Sequence, residues 1–148
     1  MIMRNTTYEI QNGDNYQEAL LHLKHEDLLP VNQELVVNPA LGTATVLSSD
    51  SDGKTEVVQQ QHFSPNGMRV LVPLLQAYPR MCPHDVLFAH LCSLPLDQAH
   101  QQMQENRSLA ISPVYYAIST LPVRLRVFGW RVVSVIGYGY LLLTLPEE

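Results

Sequence analysis

The sequence predicts an α+β domain, and three observations support this. Short β-rich runs fill residues 34–58, three helical patterns follow from Ser64, and two further β-rich runs flank Gly137-Tyr138-Gly139. Strands and helices that occupy separate stretches of a chain are typical of α+β folds. With 148 residues, 46% of them apolar and 16% charged, the chain has the composition of one globular domain and not of a disordered segment.

The first β-rich part predicts an antiparallel sheet of short strands. Turn-forming clusters separate the runs, at Asn38-Pro39 and at residues 50–53, as expected for consecutive antiparallel strands. The predicted strands are Leu35-Val36-Val37, Thr43-Ala44-Thr45-Val46-Leu47 and Thr55-Glu56-Val57-Val58.

Residues 1–33 are polar and weakly patterned. The only regular element expected there is a short helix from Tyr16 to Lys24, with Ala19, Leu20 and Leu23 on one side. The predicted organisation is therefore an N-terminal extension, residues 1–33, followed by one domain, residues 34–146.

Each predicted helix opens with a small residue and a proline, which favour the N-cap and the first helical position. The starts are Ser64-Pro65, Cys82-Pro83 and Ser112-Pro113, and Tyr78-Pro79 ends the first helix. Pro73 should kink or shorten that helix. The polar, Gln-rich residues 93–107 are expected to form a loop. The third helix should run from Ser112 to about Phe128, and its apolar spacing of three and four places four residues in the core: Val114, Ile118, Leu121 and Leu125.

Two β-rich runs around a Gly-x-Gly turn predict a C-terminal hairpin, with Trp130 in the core beneath it. A third helix followed directly by a β-hairpin is the order of a winged helix-turn-helix. The predicted fold is therefore a winged helix-turn-helix with an N-terminal antiparallel β-sheet, three helices and a C-terminal β-hairpin wing.

The pattern from about residue 33 to residue 143 resembles the OmpR/PhoB-type winged-helix domain. The similarity rests on the third-helix pattern Val114-x3-Ile118-x2-Leu121-x2-Arg124-Leu125 and on the hairpin Val133-Ser134-Val135-Ile136-Gly137-Tyr138-Gly139-Tyr140. The thirty-odd residues before it are too few for a receiver domain, as in the ToxR/CadC-like branch. The resemblance implies that the third helix enters the DNA major groove, that the wing touches the minor groove, and that the preceding loop contacts RNA polymerase.

The sequence departs from that family at the positions that would bind DNA. The outward face of the third helix carries Tyr115, Tyr116, Ser119 and Thr120 where the family has basic residues, and at least one of the two tyrosines should face solvent. Pro122 should bend the helix or end it early. Ile136 replaces an arginine of the wing.

Charge is distributed unevenly along the chain. Residues 1–60 hold nine acidic and three basic side chains, whereas residues 107–146 hold four arginines and no acid, although the whole chain has a net charge of −5. The basic half coincides with the predicted recognition helix and wing, so the acidic average does not exclude DNA binding.

Other classes of function have little support in the sequence. Cys82 and Cys92 are too far apart along a helix to form a disulfide, and six histidines show no zinc-ligand spacing. A thiol at a helix N-cap with His84 close by is the nearest approach to a nucleophile, but capping explains Cys82 more simply. We expect no enzyme activity, no metal and no cofactor, and with no signal peptide or membrane span in the sequence, a cytoplasmic protein.

The predicted function is transcriptional regulation by a winged helix that binds double-stranded DNA. With few basic residues, one copy should bind weakly and need a homodimer or a partner protein. The alternative is a winged-helix adaptor that no longer binds DNA and presents its tyrosine face or residues 93–107 to another protein. The predicted DNA-contacting residues are Tyr116, Ser119, Thr120, Arg124, Arg126, Ser134 and Tyr140.

Overall fold

The computed structural model describes residues 3–9, 19–25 and 28–145. The chain divides into two compact units, Met1–Phe63 and Ser64–Glu148.

The N-terminal unit is a five-stranded antiparallel sheet whose strands follow one another in chain order. One face of its central strands is apolar, because alternate side chains of a strand point to the same side. Leu35, Val37, Ala44 and Val46 are buried there. The strands are β1 (Met3–Glu9), β2 (Ala19–His25), β3 (Gln33–Asn38), β4 (Thr43–Ser49) and β5 (Thr55–His62).

The three predicted strands are confirmed, as β3, β4 and β5. The helix predicted from Tyr16 to Lys24 is wrong from residue 19 onward, and residues 16–18 lie outside the described part of the chain. Leu21 and Leu23 are both buried and pair with Val37 and Leu35 of β3. The apolar residues of this segment therefore repeat every two positions, as in a strand, and not every three to four, as in a helix. Strand β2 thus belongs to the same sheet as β3.

The C-terminal unit holds five helices within its described residues, where three were predicted. The first begins as expected: the Ser64 hydroxyl accepts a hydrogen bond from the Gly67 amide at 3.0 Å, and the helix ends before Tyr78. It continues through Pro73, which is buried. The helices are α1 (Pro65–Ala77), α2 (His84–Cys92), α3 (Leu96–Glu105), α4 (Arg107–Ser119) and α5 (Pro122–Phe128).

The expected loop at residues 93–107 is largely helical. Helix α3 is polar apart from Ala99 and Met103, which are buried and lie four residues apart on one face. A narrow apolar stripe of two residues was enough to dock this helix, although it gave no clear periodic signal.

The third predicted helix is two helices. Helix α4 begins at Arg107 and not at Ser112, because the Asn106 side chain accepts a hydrogen bond from the Leu109 amide and caps the helix there. Pro113 lies inside this helix. The break expected at Pro122 is confirmed: α4 ends at Ser119 and Pro122 starts α5.

The C-terminal hairpin is confirmed and belongs to a three-stranded sheet. Strands β7 (Trp130–Val135) and β8 (Gly139–Thr144) pair around a turn, and β6 (Cys82–Pro83) pairs with the other side of β8. The N-cap role predicted for Cys82 is therefore wrong, since Pro83 occupies the cap position of α2.

The core of the C-terminal unit contains the apolar residues that the periodicity selected. Trp130 is 1% exposed and stacks on Phe128, with ring centroids 4.8 Å apart. Val114, Leu121 and Leu125 are fully buried, and Ile118 is nearly so. In the described residues, every helix is too short or too polar to cross a membrane.

Candidate nucleic-acid interface

The outward face of α4 presents two tyrosines. Tyr115 is 57% exposed and Tyr116 is 67% exposed, and their rings meet edge to face at a centroid distance of 5.6 Å. The buried residues Val114, Ala117 and Ile118 lie on the other side of the helix. Both tyrosines, and not only one, therefore face solvent.

The hydroxyl groups at the end of α4 are engaged with the helix backbone. Ser119 donates to the Tyr116 carbonyl and Thr120 to the Ala117 carbonyl, each at 2.7 Å. The Thr120 hydroxyl also faces Gly67 of α1, where an added Cβ would come within 2.8 Å of it. A hydroxyl that donates to its own helix keeps its acceptor lone pairs, so Ser119 retains the capacity to accept a hydrogen bond.

Helix α5 and strand β7 carry the basic residues of this region. Arg124, Arg126 and Arg131 are exposed. Residues 106–145 contain no Asp or Glu. Within the described residues 64–145, the carboxylates form no ion pair with these arginines. Their guanidinium groups are therefore free to meet an external anion.

The hairpin contributes one exposed polar residue and one buried aromatic residue from the predicted set. Ser134 is exposed, and its Cα pairs with that of Tyr140 across the hairpin. Tyr140 is only 8% exposed and its ring meets the His84 ring edge to face at 5.5 Å. Burial, and secondarily the nearby Tyr115, raises the pKa of the Tyr140 phenol. Tyr140 was predicted to contact DNA, but it packs in the core beneath the hairpin.

Exposed apolar side chains lie on α5 and in the hairpin turn. Val123 is 80% exposed, Ile136 is 89% exposed and Tyr138 is 67% exposed. Val123 belongs to α5, and the other two belong to the turn between β7 and β8. Sequence reasoning identified Ile136 only as a departure from a family pattern, because exposure in a turn has no periodic signature.

A polar cleft on the C-terminal unit was missed by sequence reasoning. It is lined by side chains of α2, α3 and α4, including His84, Asp85, His100 and Arg107. Arg107 donates from Nη2 to the Gly137 carbonyl at 2.9 Å, so the start of α4 is tied to the hairpin turn. These residues are spread over 24 positions of sequence and no local motif links them.

The cysteine and histidine side chains do not form a reactive or metal-binding centre in the described residues. The Cys82 thiol is buried, and burial, with a smaller effect of Asp85, raises its pKa to about 12. Such a thiol stays protonated at neutral pH and is a poor nucleophile. Among the described residues, no group of three His, Cys, Asp or Glu side chains is placed to hold a metal ion.

Comparisons with protein-family models, with curated proteins and with solved structures gave no match to this chain. The resemblance to the OmpR/PhoB-type domain therefore stays a prediction.

Proposed function

We propose that this protein binds double-stranded DNA through the end of α4, helix α5 and the β7–β8 hairpin. The observation that carries the proposal is the group of exposed arginines at 124, 126 and 131, unpaired within the described C-terminal unit, in a segment without acidic residues. Phosphate contacts supply most of the affinity of a protein for DNA, and guanidinium groups are well suited to them. The last helix, α5, is followed directly by the β7–β8 hairpin. A helix followed by a hairpin is also expected of a winged helix-turn-helix, and this supports the proposal.

The residues have different roles in this proposal. Arg124, Arg126 and Arg131 contact phosphates and set the orientation of the protein on the duplex. Tyr116 and Ser119 are the exposed groups on α4 that are able to contact base edges. Ser134, in strand β7 of the hairpin, contacts the DNA backbone. A protein with these contacts would act as a transcriptional regulator that binds DNA weakly as a single copy. A second copy, or a partner such as RNA polymerase, would raise the affinity of the complex for DNA.

Fluorescence anisotropy with labelled genomic duplexes tests the proposal. The double substitution Arg124→Gln/Arg126→Gln should weaken binding of the best duplex about tenfold or more, because each lost phosphate contact removes a counterion-release contribution. Arg69→Gln/Arg80→Gln is the matched control: it removes the same two charges from exposed residues outside α4, α5 and the hairpin, and should change affinity less than twofold. Equal losses in both variants would contradict the proposed surface. So would the absence of salt-sensitive binding at micromolar wild-type protein.

A second candidate function is a protein-binding adaptor. The specific observation in its favour is the exposure of Val123 on α5 and of Ile136 and Tyr138 in the hairpin turn, since apolar and aromatic side chains are enriched at protein interfaces. Ile136→Ser should leave DNA affinity within twofold if the protein acts through its arginines. If the arginine variants keep full function in cells while Ile136→Ser abolishes it, the adaptor function replaces the DNA-binding one.

A further inference from the structure

The C-terminal unit contains a cleft of about 480 Å³ that the proposed DNA contacts do not use. Its wall is formed by His84 and Asp85 at the start of α2, His100 and Met103 of α3, and Arg107, the first residue of α4. The hairpin turn closes the remaining side with Gly137 and Tyr138. Its volume is in the range of small-molecule sites.

Arg107 is the permanent cation of the cleft, and it forms no ion pair among the described residues. Both oxygens of Asp85 are occupied: Oδ1 accepts from the Val86 amide at 2.9 Å, and Oδ2 lies 3.2 Å from His100 Nδ1. The Arg107 guanidinium uses one donor for the Gly137 carbonyl and, among the described residues, pairs with no carboxylate. A guanidinium has five N–H donors, so most of those on Arg107 are available to a ligand. The positive end of the α4 dipole lies at the same place and adds to this preference for an anion.

His84 also lines the cleft. The residue is 7% exposed, and its Nδ1 is buried without a hydrogen-bond partner in the described part of the molecule. Burial, and then the positive charge of Arg107, lowers the pKa of His84 and outweighs the opposing effect of Asp85, so the ring is neutral at pH 7. A neutral imidazole nitrogen is able to donate or to accept, depending on its tautomer.

We propose that this cleft binds a small molecule that carries a carboxylate or phosphate group. The anionic group binds the free donors of Arg107, a neutral polar group of the ligand reaches His84, and its apolar part lies against Met103, which is buried. A metal ion does not fit, because the described residues hold no suitable group of three ligating side chains here.

The proposed ligand would act directly on the hairpin turn. Arg107 binds the Gly137 carbonyl, and the His84 backbone amide donates to the Tyr138 carbonyl at 2.9 Å. The two residues that would hold the ligand are thus the two that hold the turn. Occupancy of the cleft and the position of the turn are therefore linked, whether or not the hairpin contacts DNA.

Amide NMR and isothermal titration with inorganic phosphate and with acetate test this proposal. In the wild-type protein, millimolar amounts of at least one probe should shift the amide signals of His84, Gly137 and Tyr138 in a saturable way. Arg107→Gln should weaken the affinity at least tenfold. Arg80→Gln removes the same charge from an exposed arginine outside both the cleft and the proposed DNA-binding surface, and should change the affinity less than twofold.

Several outcomes would overturn the proposal. The first is that neither probe saturates the amide shifts at roughly 20 mM. The second is that the shifts are confined to residues outside the cleft. The third is that both substitutions weaken the affinity equally. If Arg107→Gln does not fold, Arg107→Lys replaces it, because lysine keeps the positive charge but lacks the planar guanidinium that binds an anion through two donors. This variant should weaken phosphate binding, and the amide shifts of the wild-type protein test the proposal independently of either variant. Displacement of phosphate by a DNA duplex would assign the cleft to backbone contacts and overturn the small-molecule proposal.

Discussion

Gly139 is the residue at which the hairpin sheet tolerates no side chain. A Cβ at this position would overlap the Cys82 carbonyl and come within 2.8 Å of its carbon and of Pro83 Cα. Those atoms belong to strand β6, which pairs with β8 at this point. We expect Gly139→Ala to lower the free energy of unfolding by about 3 kcal/mol, at the upper end of the range for overpacking, because backbone is unable to give way as a side chain would.

Chemical denaturation measures this loss, and Gly137→Ala is the matched control. Gly137 has a φ of +83°, but a Cβ added there would meet no atom within 4 Å. Its substitution therefore costs only the left-handed conformation, about 1–2 kcal/mol. A loss at Gly139 no larger than that at Gly137 would contradict the close approach of β6 and β8.

The two cysteines should differ sharply in reactivity. Cys82 is buried and its thiol has a pKa raised to about 12, whereas Cys92 is exposed. Because the thiolate is the reacting species, at pH 8 a thiol reagent should modify one cysteine in the folded protein and two in denaturant. Cys92→Ser should remove the fast reaction. Rapid modification of that variant would show that Cys82 is accessible and would contradict its burial.

Pro122 explains why the predicted third helix is two helices. Thr120 and Leu121 already have right-handed helical dihedral angles, and the Leu125 amide donates to the Leu121 carbonyl at 2.9 Å. What is missing is the amide of residue 122, which would donate to the carbonyl of Ile118, and the proline ring crowds that same carbonyl. The break is therefore a local effect of one residue between two segments of helical backbone.

We expect Pro122→Ala to join α4 and α5 into one helix. Carbon-13 chemical shifts should become helical from Arg107 to Phe128 without interruption, and the amide of residue 122 should be protected from hydrogen exchange. The stability should change by less than about 1 kcal/mol, because proline at a first helical position is tolerated well. Shifts that keep a break at residues 120–121 would show that packing of Leu121, and not the proline, separates the helices.

Elements with a clear cap, turn or apolar period in the sequence were predictable, and elements with few buried residues were not. The Ser64 cap and the apolar spacing after it located α1, and the Gly-x-Gly turn located the hairpin. Helix α3 has only Ala99 and Met103 buried, so its docking depends on tertiary contacts that a periodicity search does not register.

The candidate site was predictable where it depends on helix geometry alone. The exposure of Tyr116 and Arg124 follows from the buried positions between them. The burial of Tyr140 depends on His84, 56 positions earlier in the chain, and the cleft at Arg107 depends on three helices and the hairpin turn. Contacts between residues so far apart in the chain produce no recognisable pattern of residue spacing in the sequence.

At the scale of the whole molecule, charge is distributed unevenly along the chain. Residues 1–63 hold nine acidic and three basic side chains, whereas residues 64–148 hold five acidic and six basic ones, and residues 106–145 within them hold four arginines and no acid. Like charges concentrated in one unit raise its local potential, which screening limits to about 8 Å at physiological ionic strength. An anionic partner therefore meets the positive potential of the arginine segment at short range, even though the chain as a whole is acidic.

This division of charge makes the salt dependence of DNA binding a quantitative test of how many copies bind. Three phosphate contacts, at Arg124, Arg126 and Arg131, predict a slope of log affinity against log salt of about −2.7, or roughly a 40-fold loss between 50 and 200 mM salt. Two copies on one duplex should double the slope to about −5.4. Anisotropy titrations at several salt concentrations measure it, with sedimentation of the complex as an independent count of copies. A slope near zero would contradict phosphate binding by these arginines, because no released counterions would accompany the complex.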